Sequence, residues 1–295
     1  MSKIIIFRIA VATFFIILSC LFSVNYQDMV GFSLILSVGL IHGANDLLII
    51  KRNTSSDTNF SQFKSFIKYF GIVLAGLIFF YFFPSFALIS FILVSIYHFG
   101  EQHIEAIPLD KNLKNGRRYI SIISHGILLF TIIFMNNTKV VVDVFSSFNI
   151  VFLNYNFLII ILIITSILYA SILIIKKDLQ TFLISEILFF GLFYFLSITS
   201  SLILCFSVYF IFFHSILSIK DQVKYIYGSN NSKSLKRYIK NSLPYFILAL
   251  IFLILFYIYT EIDNNDLLPI IFTFLAAITF PHVLVIEKMY RTMKQ

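Results

Sequence analysis

The chain has 295 residues, of which 59% are hydrophobic and 12% charged, with 37 phenylalanines and a formal net charge of +8. A mean hydropathy of +0.94 overrides the two soluble domains that length alone would allow. The basic residues flank apolar runs, as a topology signal does, which argues against nucleic acid as their partner.

Apolar stretches of about 20 residues match the hydrocarbon core of a bilayer. Only helices or closed barrels satisfy the backbone there. Barrel strands would alternate apolar and polar residues. Runs such as 157–169 are apolar on every face. The expected fold is therefore all-α, a polytopic transmembrane helical bundle forming one integral membrane domain over 1–295.

About ten spans are expected (eight or nine if a weak segment is re-entrant): 4–24, 29–50, 66–83, 85–104, 118–135, 153–175, 179–198, 200–218, 242–260 and 268–287. The first resembles a signal peptide but lacks a small-residue cleavage site, so it reads as an uncleaved helix. Pro84 separates the third span from the fourth. Residues 139–149 are ambiguous and could lie along the interface. Residues 197–201 form a short turn between the seventh and eighth spans. Cys20 and Cys205 lie far apart in apolar spans and form no metal or redox motif.

With the N-terminus inside, the internal segments are 1–8, 51–68, 105–118, 176–178, 219–241 and the tail from 288. They carry 21 of the 22 Lys and Arg residues, leaving only Lys139 outside, and the outer loop 261–267 is acidic. That alternation predicts a multi-pass protein of the cytoplasmic membrane with both termini in the cytoplasm.

Six histidines, His42, His98, His103, His125, His214 and His282, sit in or beside apolar stretches. An ionisable side chain in hydrocarbon is costly and marks a functional site by default. Counted from the inner flanking charges, His42, His125, His214 and His282 lie roughly 9–14 Å deep at 1.5 Å per residue, with His98 and His103 near the inner end of their span. A shared depth across five spans points to a metal site inside the helices. Imidazole with little thiolate suits Fe, Cu, Zn or Ni. Asp46, four residues from His42, together with Glu101 and Glu186, are candidates to accept the second ring N–H of ligating histidines.

Four segments carry a resemblance. Gly39-Leu40-Ile41-His42-Gly43-Ala44-Asn45-Asp46 resembles the G-x-P-H-G-A-x-D segment of the Brp/Blh family. Ser95-Ile96-Tyr97-His98-Phe99-Gly100-Glu101 resembles its S-x-x-H-F-G-E/D segment. Phe212-Phe213-His214-Ser215 and Thr279-Phe280-Pro281-His282-Val283-Leu284 resemble its H-S-x-R-H and T-L-P-H-M-L segments. These are membrane β-carotene 15,15′-dioxygenases of bacteria and archaea, which cleave the central double bond with O₂ and histidine-bound iron to give two retinals for microbial rhodopsins. The resemblance implies Fe(2+) as cofactor, a carotenoid and O₂ as substrates, a functional link to a retinal-binding rhodopsin, and His42, His98 and His214 as iron ligands. The family's second histidine in H-S-x-R-H is replaced by Ser218, and its proline by Ile41. Either His282 or His125 completes the site, or three histidines suffice, or the activity is lost or changed; the expected ligands are His42, His98, His214 and His282, with His125 in support.

Tyr97, Phe99, Phe213 and Phe280 are candidates to line an apolar substrate slot, although aromatics at such positions also serve packing or lipid contact. A non-cleaving carotenoid- or retinal-binding member is the nearest alternative. A His/acid-lined transporter would more often show an internal repeat, which the chain lacks. A di-iron desaturase needs several closely spaced histidine boxes, and here only His98 and His103 are close.

Overall fold

Side chains this apolar leave the backbone only its own carbonyls as partners, and the chain is helical almost throughout. A computed structural model describes residues 3–52, 59–106, 115–175, 177–259 and 267–294. The helices are α1 (Lys3–Leu21), α2 (Val24–Leu34), α3 (Leu40–Gly43), α4 (Asp46–Arg52), α5 (Asn59–Phe82), α6 (Pro84–Ala106), α7 (Asn115–Asn136), α8 (Thr138–Ser147), α9 (Tyr155–Ile175), α10 (Lys177–Thr199), α11 (Leu202–Val208), α12 (Ile216–Tyr227), α13 (Ser232–Tyr259) and α14 (Leu267–Lys294). Among the described residues, nine helical stretches are long and apolar enough to cross a membrane. The first expected span appears as a shorter apolar helix, Ile6–Leu21. The protein is thus a polytopic all-α membrane protein. The acidic loop expected at 261–267 lies outside the described residues, except that Leu267 opens α14.

Two spans are assembled from pieces. Val24–Arg52 runs through α2, a π-helical turn at Ile35–Gly39, α3, a turn at Ala44–Asn45, and α4. Leu202–Tyr227 runs through α11, a π-helical segment at Tyr209–Ser215, and α12. Such widened turns are frequent at functional sites. One contains His214, and the other ends three residues before His42.

The chain divides into two compact units. The first comprises Met1–Ile35, Ser95–Ser146 and Ile150–His214. Here α1 packs on α10, α2 on α11, and α7 on α9 and α10. Its core includes Ile104, Ile122, Leu128, Tyr169 and Leu173. Buried Gln27 ties the helix ends together: its amide donates to the Ser19 and Phe22 carbonyls (both 2.9 Å) and accepts from Ser201 N–H at 2.7 Å. The ambiguous stretch after Lys139 is helical, and α8 buries Val141, Val144 and Phe145 along one face.

Where α6 crosses α7 the backbones touch. A Cβ at Gly100 would overlap the Ile122 carbonyl, and one at Gly126 would overlap the Ile96 carbonyl. Small residues permit this approach between membrane helices. Gly126→Ala is expected to lower the thermal midpoint of detergent-solubilised protein, at a cost of about 1–3 kcal/mol from overpacking. An unchanged midpoint would contradict the crossing.

The second unit comprises Leu36–Val94, Ser147–Asn149 and Ser215–Gln295. In it α14 packs on α4 and α5, and α12 on α3, α4 and α13. Ile49, Ile286, Met289 and Tyr290 form its core. Most of the inner segment 219–241 is helical rather than loop. The last turn of α12 ends at Gly228, whose φ of 75° suits glycine, and α13 starts at Ser232. The Asn231 side chain accepts from Ser234 N–H at 2.8 Å and caps that start.

Candidate metal centres

In the second unit, α3 supplies His42, α4 supplies Asp46 and α14 supplies His282. His282 Nδ1 lies 2.9 and 3.1 Å from the two Asp46 oxygens, and Tyr69 donates to Asp46 Oδ2 at 2.8 Å. On its other side, His282 Nε2 lies 2.9 Å from His42 Nε2, with the rings edge to face. His42 Nδ1 lies 3.2 Å from Gln222 Nε2. That amide also reaches Ser218 Oγ at 3.2 Å, and Tyr238 donates to Gln222 Oε1 at 2.8 Å. All of these side chains except that of Tyr69 are buried below a tenth exposure.

One proton arrangement satisfies the row as it stands. Gln222 N–H donates to His42 Nδ1, His42 Nε2–H to His282 Nε2, and His282 Nδ1–H to Asp46. The same spacing fits a shared metal, because two nitrogens about 2.1 Å from one ion at right angles stand about 3.0 Å apart. Asp46 holds the proton on His282 Nδ1 and so aims its Nε2 lone pair, as carboxylates behind ligating histidines do. His42 releases its own Nε2 when its proton sits on Nδ1. Interchanging the Gln222 amide oxygen and nitrogen on the same positions makes Gln222 the acceptor for that proton. The donor set therefore fits a metal of the imidazole-preferring class.

The first unit brings His98 on α6 together with His214 of the Tyr209–Ser215 turn. Their rings lie 4.7 Å apart, edge to face, and both are buried. Phe99 lies 4.6 Å from the His214 ring, and Phe210 stacks on it at 5.7 Å. Gln102 donates to the His214 carbonyl at 3.0 Å, holding the turn to α6.

A separate group in the same unit joins His103 of α6, His125 of α7 and Glu186 of α10. His103 Nε2 lies 3.1 Å from both Glu186 oxygens. His125 stacks on His103, with ring centroids 3.7 Å apart. Tyr169 donates to Glu186 Oε2 at 2.9 Å.

The expected supporting residues thus distribute differently from one another. Asp46 meets His282 rather than bonding His42, four residues before it, because the Ala44–Asn45 turn ends α3 between them. Glu101 accepts from Tyr97 at 3.0 Å and lies 3.7 Å from Arg118, which also pairs with Glu105. Glu186 and His125 gather with His103. Of the four aromatics, Phe99 lies against His214; Phe213 packs with Phe189, Phe193 and Tyr209, Phe280 against Gly76, and Tyr97 on the Ile104 core. Sequence reasoning missed Tyr69, Gln222, Tyr238 and Phe210. Gln222 lies four residues after Ser218, the spacing at which one helical face could have found it.

A multi-pass membrane chain that buries imidazoles in groups, with carboxylates against them, has the make-up of a membrane-embedded metalloprotein. The chain belongs to the beta-carotene 15,15'-dioxygenase family, which it matches over residues 33–290. The matched stretch contains all six histidines. Comparison with curated proteins gives no significant match, and neither does comparison with solved structures.

Proposed function

We propose that the protein is an iron-dependent oxygenase that cleaves β-carotene at the central 15,15′ double bond with O₂, giving two retinals. The observation that carries this reading is the buried His42–His282 pair with Asp46 behind it, in a chain of this family. His42, His98, His214 and His282 would hold the iron. When bound, the iron supplies O₂ activation.

The rest of the work falls to side chains around these histidines. Asp46 keeps the proton on His282 Nδ1, and Gln222 sets which nitrogen of His42 carries the proton. Phe99 and Phe210 give His214 an apolar wall that excludes water and suits a polyene. A substrate dissolved in lipid reaches such a site without leaving the bilayer. The charge alternation supports residence in the cytoplasmic membrane with both termini inside. Retinal formed there would be available to a retinal-binding rhodopsin.

A second reading, a member that binds a carotenoid or retinal without cleaving it, draws support from Ser218. This serine is buried and hydrogen-bonded to Gln222 where the family motif has a histidine. Expression in a β-carotene-accumulating bacterium separates the readings. Cleavage predicts pigment loss and retinal by chromatography. Pigment retained and co-purifying with the protein, without retinal, favours the second reading.

A further inference from the structure

The group of His103, His125 and Glu186 is not used by the proposed reaction. We propose that it is a second metal site, taking one divalent first-row transition ion through two imidazoles and one carboxylate.

Three helices of one unit converge there, and one ligand atom from each residue lies within 4.8 Å of the others. All three residues are buried below a twentieth exposure. Two histidines with a carboxylate match the borderline-soft N/O sets that hold iron(II) or zinc.

His125 is the telling member. It is 0% exposed, and among the described residues neither ring nitrogen has a hydrogen-bond partner. Its Nδ1 stands 3.5 Å from Glu186 Oε2, an electrostatic approach rather than a good hydrogen bond. A buried polar atom left without a partner loses its hydration without compensation and is destabilising. Coordination would satisfy one of these nitrogens.

The surroundings are arranged as around ligands. The Tyr169 hydroxyl holds Glu186 Oε2 at 2.9 Å, fixing the carboxylate from behind. His103 Nε2, equidistant from both carboxylate oxygens, already faces the same space. Phe189 and Phe190 lie 5.0 Å from the His103 and His125 rings respectively, keeping the pocket dry. The Gly100–Ile122 and Gly126–Ile96 contacts bring α6 and α7 close enough for the two imidazoles to stack. Arg8 brings a cation to this neighbourhood, over Phe189 at 5.4 Å. A metal-free network that merely neutralises Glu186 is therefore the competing occupant.

The test uses full-length protein in detergent, stripped with chelator and re-equilibrated with Zn(II), with metal counted by mass spectrometry. A parallel Co(II) titration reports imidazole and carboxylate coordination by visible absorption. Against the wild type, Glu186→Gln and His125→Ala are each expected to lose one equivalent. In a His42→Ala/His98→Ala background one equivalent should remain, and adding His125→Ala should remove it. Helical circular dichroism and elution position verify folding, and Glu186→Gln keeps the shape of the carboxylate should His125→Ala fail to fold. If Glu186→Gln retains the full wild-type zinc content, or if the double-variant background binds none while folded, the group is a metal-free network and the proposal is overturned. Loss of carotene cleavage has no bearing on these counts, so failure of the oxygenase reading stays distinguishable.

Discussion

His98→Ala is expected to lower retinal formation by at least about 100-fold and to strip most bound iron. Removing a residue that only hydrogen-bonds a ligand typically costs 10–100-fold, and loss of a ligand should exceed that. His98 is buried against His214, on the stretch of α6 whose Gln102 holds the His214 carbonyl. Alanine therefore removes a donor and leaves a cavity beside Phe99. His98→Gln, closer in volume, separates the two effects: it should keep the fold and still lose iron. The same loss is expected for His42→Ala and His214→Ala. Iron content measured on purified variants, beside retinal yield, checks the set. Full iron and full activity in His98→Ala would remove this residue from the site.

The second large effect concerns His282, the residue proposed to replace the family's missing histidine. His282→Ala is expected to lower iron content as much as His42→Ala does, because His282 Nε2 faces His42 Nε2 at 2.9 Å. Asp46→Asn should cost about 10–100-fold in metal affinity, since the carboxylate that orders His282 Nδ1 is lost while the fold is kept. Ser218→His in the His282→Ala background should restore part of the iron. Position 218 is where the family motif carries its second histidine, and it is buried beside the Gln222 amide that reaches His42 Nδ1. Iron retained in His282→Ala with turnover lost would instead make His282 a residue that positions the substrate.

Much of the fold was legible in the sequence because uninterrupted Ile, Phe and Leu runs admit only helices in lipid. Those runs also set the approximate positions of the spans, the first of which appears as the shorter apolar helix Ile6–Leu21. The π-helical turns at Ile35–Gly39 and Tyr209–Ser215 carry no such signal, since their residues are as apolar as those of the α-helices around them. Tyr238 and Gln222 were obscured by their charged neighbours, which read as an inner loop although α12 and α13 continue through them. His42 and His282 were legible as a depth-matched set. The pairing of Asp46 with His282 was not, because regular i, i+4 spacing assigned that carboxylate to His42, and only the turn at Ala44–Asn45 redirects it. Glu186 was legible as an intramembrane acid. Its partner His103 was not, since a histidine five residues from His98 fits neither helical neighbour spacing.

The most direct measurement of the central claim is product stoichiometry in vitro. Chelator-stripped protein, given β-carotene in micelles with air, should form no retinal. After Fe(II) is restored it should form two retinals for each β-carotene consumed, with no longer or shorter aldehyde on the chromatogram. Retinal formed equally without iron, aldehydes of unequal length, or β-carotene bound and recovered intact with Fe(II) present would contradict central iron-dependent cleavage.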